Sequence, residues 1–390
     1  MQILSSIARP TSKRSWELCA HALLGIFVFG AIMFKQAGVR LTMPWHPWTV
    51  WSTAVDAFAC AAGILLLVTR TPRLRTSHIA AIALLLPLLL FSYSRCWDGG
   101  FVLSLFVAVS VSRLDLRQLC RTYAVAALFA VVVSMALSFA GILPKLAVVP
   151  NARVVFTYGY PHPNTTGALI FGALSALTYA EWHRTWRAVT ALSVVSGILT
   201  YVALSSHAAA ASCILLACSN LVGHLGAVES LSASSPQIHR VPLIVIPLIL
   251  LGGMLVLTAI YDADNALMAR INSLTHNRVH YAHAYYVELG GFTAFGRPEL
   301  TADMYNGGSS FWGVDSGYSY FALDYGLIPL AVLAALYLAR TRRLAERHDF
   351  ALTIIILLGF LYLVIERAPL YLYLSPWFLF LQCKGKPAQT

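Results

Sequence analysis

Long runs of apolar residues recur along this chain, and short polar segments separate them. A helix needs about 20 apolar residues to cross the roughly 30 Å hydrocarbon core of a bilayer. Such runs occupy residues 18–34, 48–69, 78–94, 97–112, 119–141, 164–182, 188–204, 207–223, 241–261, 316–339, 350–366 and 368–383. Only 11% of the 390 residues are charged, against about 25% in soluble domains. The pattern predicts an all-α, polytopic integral membrane protein with about 12 transmembrane helices.

Basic residues are spread unevenly over the two sides that these spans define. With the N-terminus in the cytoplasm, the inner segments hold most of the 27 lysines and arginines. An excess of positive charge marks cytoplasmic loops, so both termini are predicted to be cytoplasmic. The net charge of +11 follows from these loops, and nucleic acid is not expected as a partner. One transmembrane domain (1–390) is predicted, with outer loops at 141–163 and at 262–315, the second partly helical.

The first outer loop ends in a polar motif that runs from Arg153 to Asn164. His162 stands there between two prolines, whose rings fix the backbone φ angle. Asn164 is expected to be the N-cap of the next helix. Because a helix N-terminus favours an anion, we interpret the motif as a candidate anion site. The alternative is a stiff start to the helix that binds nothing.

The second outer loop contains an aromatic and histidine-rich stretch. Its pattern from Arg278 to Glu288 predicts an amphipathic helix at the membrane surface. His276, His280 and His283 have near-helical spacing, but no HExxH motif accompanies them, so no metal site is expected. The alternative to a metal site is an interfacial helix without a ligand, whose tyrosine and histidine side chains lie at headgroup level.

Acidic residues follow at two further positions on the outer side. Asp315 opens the next predicted helix, where an acid is favoured by the helix dipole even without a function. Glu366 and Arg367 lie in the last outer turn, where ionisable groups indicate function unless they only form a local ion pair. Arginine binds phosphate through paired hydrogen bonds, and histidine or carboxylate can act as a base toward a hydroxyl. These groups suit an anionic lipid headgroup such as a pyrophosphate, and no cofactor is indicated.

These motifs resemble the bacterial O-antigen and capsular polysaccharide polymerase family (Wzy-like). Members carry an arginine and then Gly-Phe-Gly-His-Pro-Asn, then Asn-x-x-Ser/Thr-Gly-Arg, Asp-x-x-Tyr and a late glutamate. The corresponding residues here are Arg153, Gly159-Tyr160-Pro161-His162-Pro163-Asn164, Asn272-Ser-Leu-Thr-His-Asn277-Arg278, Asp315-Ser-Gly-Tyr318 and Glu366. The chain departs from the family pattern at Pro161 and Asn277, which replace glycines, and at His207, which replaces arginine after Ser206.

The resemblance implies a GT-C-like membrane glycosyltransferase that works without nucleotide sugar or metal. It would join undecaprenyl-diphosphate-linked repeat units into a surface polysaccharide, on the outer face of the bacterial cytoplasmic membrane. Its expected partners are this lipid-linked glycan and membrane lipid, with a flippase and a chain-length regulator as candidates. His162 is the first candidate for the catalytic base and Asp315 the second. The expected substrate-binding residues are Arg153 and Arg278 at the diphosphate, with Asn164, His276, Tyr318 and Glu366 beside them.

Two other functions remain open at the level of sequence. An O-antigen ligase-like transferase would share the membrane topology and the long outer loop, but would pass a finished glycan to another acceptor. A lipid or solute transporter would need ionisable residues within the membrane and often has repeated halves. The nearest such residues are Asp56, Glu181 and Asp324. Asp56 could equally form a hydrogen bond between helices.

Overall fold

The structure is a computed structural model that describes residues 13–37, 47–69, 87, 90–91, 99–112, 114–149, 153–160, 162–225, 235–297 and 314–382. Its elements are α1 (Lys13–Ala31) with a π-helical turn (Ile32–Gln36), α2 (Pro47–Thr69), α3 (Gly99–Val111), α4 (Leu116–Phe139), β1 (Leu146–Val149), β2 (Arg153–Phe156), α5 (Pro163–Ala180), α6 (Trp186–Val202), α7 (His207–Gly223), α8 (Pro236–Ile260), α9 (Ala266–Leu274), α10 (Arg278–Glu288), α11 (Gly317–Tyr320) with a π-helical turn (Phe321–Tyr325), α12 (Leu327–Ala345), α13 (Phe350–Tyr362) and α14 (Trp377–Gln382). The predicted predominance of helix is confirmed.

The chain divides into two compact units. Unit one comprises residues 1–74, 103–222 and 371–390, and unit two comprises 75–102 and 223–370. In unit one, α5 packs along α4 and also contacts α6. In unit two, α8 contacts α10, α11, α12 and α13. The long helix α4 contacts α1, α5 and α14 in unit one, and α8 has the corresponding position among four helices of unit two.

Four of the described helices are long and apolar enough to cross a membrane. They are Ser15–Gln36, Val50–Leu67, Leu116–Phe139 and Pro236–Ile260. Shorter apolar helices occupy Gly100–Val111, Trp186–Val202, His207–Gly223 and Phe350–Tyr362. The chain is therefore a helical membrane protein. The number of spans stays a prediction, and the predicted span 78–94 lies almost wholly outside the described residues.

Helix α6 shows how lipid acts as the solvent for this fold. Its large apolar residues point outward, with Leu199 57% and Val202 72% exposed, while Thr190, Ser193 and Thr200 are buried. Each buried hydroxyl donates a hydrogen bond to a carbonyl one turn earlier, at 2.8–2.9 Å. Because these bonds satisfy the polar groups locally, the helix can present hydrocarbon outward. A helix in water would have the opposite arrangement.

Two predicted spans differ from the helices in the structure. The run 316–339 is interrupted at Gly326, where φ is +96°. A side chain there would come within 2.5 Å of backbone atoms of Ala294 and Phe295, so the close approach of two chain segments requires glycine. The helix resumes as α12 and extends to Ala345.

The predicted run 368–383 is wrong as a continuous helix. It contains a 3₁₀ turn at Ala368–Leu370, further turns and the short helix α14. Pro369 and Pro376 lack the backbone N–H that a helix interior needs. Backbone groups outside the helix form other hydrogen bonds. The Leu372 N–H, for example, donates to Ser104 Oγ at 2.8 Å. Most of its described residues are buried, which accounts for the apolar character of this segment.

Candidate functional site

Polar residues of the first outer loop lie at the start of α5. Strands β1 and β2 pair antiparallel within this loop, with Arg153 opposite Val149, so the loop contains strands that the all-α prediction did not include. The chain then turns through Tyr158 and Gly159, both with positive φ, and reaches His162 at the N-terminus of α5. Arg153 thus stands at the start of β2, and its proposed contact with a diphosphate stays a prediction.

His162, not Asn164, is the N-cap of α5. Its Nδ1 accepts a hydrogen bond from the backbone N–H of Asn164 at 3.1 Å, and Pro163 is the first helical residue. The expectation that Asn164 caps the helix is therefore wrong. Proline favours the first helical position because it has no N–H to satisfy there, which moves the helix start forward to Pro163.

The side chain of Asn164 ties two helices together instead. Its Oδ1 accepts a hydrogen bond from the hydroxyl of Ser206 at 3.0 Å. Ser206 is fully buried and is the last residue of the connection between α6 and α7. The turn that departs from the family pattern at His207 is thus part of the same polar cluster.

The hydrogen bond of His162 fixes where its proton lies. A backbone N–H can only donate, so Nδ1 must accept, and the neutral ring then carries its proton on Nε2. In this state Nε2 is a donor and cannot take a proton from a hydroxyl. The prediction that His162 is the base is not tested directly, but this contact favours a hydrogen-bond donor.

In unit two, Asn272 organises the turn between α9 and α10. Its Oδ1 accepts a hydrogen bond from the His280 N–H at 2.9 Å, and its Nδ2 donates to Asn277 Oδ1 at 2.9 Å. His276 and Asn277 have φ angles of +50° and +66°. Asparagine tolerates this left-handed region better than most residues, which explains how it can stand at the family's glycine position. The turn places Arg278 at the first position of α10.

Arg278 lies between two carboxylates from distant parts of the chain. Its Nη1 forms an ion pair with Asp315 Oδ2, and its Nη2 donates to Glu366 Oε1 at 3.2 Å. The Arg278 and Glu366 side chains are only 14% and 11% exposed. We call these three residues the Arg278 cluster. It unites three of the motifs noted in the sequence, and the Glu366 pair reaches Arg278 across 88 residues.

Asp315 and Glu366 are held together by the backbone between their elements. The Gly317 N–H donates to the Leu363 carbonyl at 2.8 Å, and the Tyr318 hydroxyl donates to the Phe360 carbonyl at 3.0 Å. These bonds fix the start of α11 against the end of α13. Tyr318 is buried and its hydroxyl makes this contact, and its contact with substrate stays a prediction.

The cluster contains an unusual carboxyl group. Burial raises the pKa of Glu366 to about 7, Asp315 adds to the increase, and Arg278 opposes it. Sequence reasoning missed the partner of Arg367, whose guanidinium lies over the Tyr320 ring, 4.8 Å from its centroid. Tyr320, five residues after Asp315, was the available signal. The outcome is a carboxyl group that can exchange a proton near neutral pH, beside two guanidinium groups.

The loop histidines differ in their surroundings, although the rings of His280 and His283 both lie near the Tyr261 ring. His276 is exposed in the turn before α10. His283 Nδ1 lies 2.9 Å from the Thr258 carbonyl, which can only accept, so the neutral ring carries its proton on Nδ1. Among the described residues, no group of three or more histidine, cysteine or acidic side chains could hold a metal ion. The three histidines therefore do not converge on one point.

No family model, curated protein or solved structure matches this chain.

Proposed function

We propose that this protein is a multi-pass membrane glycosyltransferase that polymerises undecaprenyl-diphosphate-linked oligosaccharide repeats at the outer face of the bacterial cytoplasmic membrane. One observation carries the proposal. Arg278, Asp315 and Glu366 belong to three separate motifs of the polymerase resemblance, and they meet in one cluster. Motifs that matched by chance would have no reason to meet.

The chemistry of the cluster suits transfer of a glycan to a hydroxyl group. In this reaction the bond between the sugar's anomeric carbon and the diphosphate oxygen breaks, and a new bond forms to the acceptor oxygen. The acceptor loses a proton, and the diphosphate leaves with the electron pair. A carboxylate whose pKa is near 7 can receive that proton at neutral pH, so Glu366 joins Asp315 as a candidate base.

Arg278 supplies positive charge at the same place. Two of its nitrogens face carboxylates, while its buried Nε–H has no hydrogen-bond partner among the described residues. That donor is available to an oxygen atom of the substrate. A preorganised cation stabilises charge that develops on a leaving diphosphate, and Arg367 adds a second cation next to Glu366.

Two of the three charged residues that would favour a transporter, Asp56 and Glu181, have structural partners. Asp56 pairs with Lys35 at 2.6 Å, and Glu181 pairs with Arg121 at 2.7 Å. Each pair joins two helices of unit one. Because a paired charge stabilises helix packing without needing a substrate, these residues give no particular support to transport.

The test is polymerisation of the host's own lipid-diphosphate-linked repeat by the purified full chain in nanodiscs. The wild-type protein should produce a ladder of glycan lengths. Arg278→Ala should abolish it, and Arg278→Lys should slow it, since lysine lacks the planar fork that reaches two carboxylates. The control is Arg270→Ala, which removes an exposed arginine of α9. A full ladder at the wild-type rate from Arg278→Ala would exclude this site.

Deletion of the gene distinguishes the ligase alternative. Loss of a polymerase should leave single repeat units on the final carrier. Loss of a ligase should instead leave complete polymer that is not attached to that carrier.

A further inference from the structure

Helix α9 has its apolar side outward and its polar side inward. Leu267 and Leu274 are 69% and 72% exposed, whereas Asn272 is only 7% exposed. Residues seven positions apart on a helix differ by roughly 20° around its axis, so the two leucines share one face. Asn272 lies roughly 140° away from Leu267. A helix in water would bury the leucines and expose the asparagine.

The length and position of α9 indicate what covers this face. The helix has 9 residues, which span about 14 Å and cannot cross a bilayer core of roughly 30 Å. It begins soon after α8, one of the four helices that are long and apolar enough to cross a membrane. Arg270 is exposed beside the leucines, where a cation can reach lipid phosphate.

We propose that α9 lies flat in the membrane interface, with Leu267 and Leu274 inserted into the bilayer. The sequence pattern predicted an interfacial helix at α10, but in α10 the residues Val279, Ala282 and Tyr285 are buried against protein. The structure thus assigns the bilayer contact to the preceding helix. Insertion of an amphipathic helix reaches about 5–10 Å below the headgroup boundary.

This contact would also set the depth of the Arg278 cluster. The inner face of α9 carries Asn272, whose side chain closes the turn that leads to Arg278. A helix with its side chains is about 10 Å across, so the cluster would stand at the level of the lipid headgroups. That is the level of a lipid-linked diphosphate, and this last step depends on the proposed function. The bilayer contact itself does not.

The experiment measures quenching of an environment-sensitive fluorescent amino acid in the full chain, reconstituted in nanodiscs. Separate variants carry the probe in place of Leu267, Leu274 or Ser273. Ser273 is the matched control, since it is an exposed polar residue of the same helix on another face. Two quenchers are compared, namely iodide in the water and brominated phospholipid in the bilayer. The bromine atoms lie either near the headgroup end of the acyl chains or near their middle.

Probes at Leu267 and Leu274 should be quenched several-fold more by brominated lipid than the probe at Ser273, and less by iodide. Bromine near the headgroup should quench both leucine positions more than deeper bromine, and to a similar extent, because the helix lies flat. Strong iodide quenching at both leucines would overturn the proposal. Weak quenching by both reagents would also overturn it, because protein would then cover the face. No turnover is needed, so a negative result here leaves the polymerisation test unaffected.

Discussion

Helices α5 and α10 each begin at a polar motif that follows a turn, but the two starts are built differently. At α5 the side chains of His162 and Asn164 form a helix cap and a tie to Ser206. At α10 the side chain of Asn272, a residue of α9, closes the turn, and Arg278 is left to bind two carboxylates. A polar motif before a helix can thus stabilise the start of that helix, or it can position a charged side chain in a site.

Among these variants, removal of Arg278 should have the largest effect. In Arg278→Ala two acidic groups would lose the cation that lies between them, and loss of one partner from a buried ion pair costs about 3–5 kcal/mol. We expect a lower free energy of unfolding, measured by denaturant titration in mixed micelles. The double variant Arg278→Ala/Glu366→Gln should regain part of the loss, since one buried charge is gone. Unchanged stability in Arg278→Ala would show that the pairs do not form.

The close contact at Gly317 should be the next most sensitive point. A Cβ there would lie 2.3 Å from Leu363 Cδ2, and overpacking of this kind costs about 1–3 kcal/mol. Gly317→Ala should therefore lower the thermal midpoint and reduce polymerisation, because Asp315 shifts away from Glu366. Gly252→Ala is the control, as nothing lies within 4 Å of the added carbon. Equal behaviour of the two variants would argue against the packing of α11 on α13.

Asn272→Ala tests whether the turn positions Arg278, apart from its contribution to overall stability. It removes the hydrogen bonds that hold the turn, at a cost of about 1–2 kcal/mol. Asn265→Ala removes the N-cap of α9, which accepts from Leu267 and Met268, at a cost of about 1 kcal/mol. With similar losses of stability, only Asn272→Ala should reduce polymerisation. Similar rates in the two variants would mean that the turn does not position Arg278.

The pH dependence of stability should report on Glu366. Its pKa is 4.5 for the ordinary group and about 7 in the fold, so the folded protein binds this proton more tightly than the unfolded chain. The stability that this proton contributes is fully present below pH 4.5 and is lost as the pH rises toward about 7. We expect the thermal midpoint to fall more steeply over this window in the wild-type protein than in Glu366→Gln. Parallel curves would contradict the raised pKa.

His162→Asn should have the smallest effect, and it tests the role of His162 at the start of α5. Asparagine is a good N-cap, so α5 should keep its start, with a change in stability of only a few tenths of a kcal/mol. We expect the polymerisation rate to stay close to that of the wild-type protein, because the contact of His162 Nδ1 with the Asn164 N–H favours Nε2 as a hydrogen-bond donor. His162→Ala should lose about 1 kcal/mol through the missing cap. A large loss of rate in His162→Asn at full stability would restore His162 as the base.

The sequence by itself determined that lipid surrounds this chain and where most of its helices lie. Apolar runs and low charge are properties of composition, and helical periodicity is local, so both can be read without a fold. The helix α10 was predicted with the bounds that the structure has, Arg278 to Glu288. The residues of the candidate site were also visible as motifs, although their partners were not.

Tertiary structure decided which of these residues meet. Glu366 stands next to Arg367 in the sequence, yet it also pairs with Arg278, because α11 docks on the end of α13 through backbone hydrogen bonds that no sequence pattern records. The segment after Glu366 is as apolar as a span but folds into turns, since its prolines and its buried contacts outweigh its hydropathy. Ion pairs between distant residues and the choice between burial in lipid and burial in protein depend on packing, and packing is a property of the whole chain.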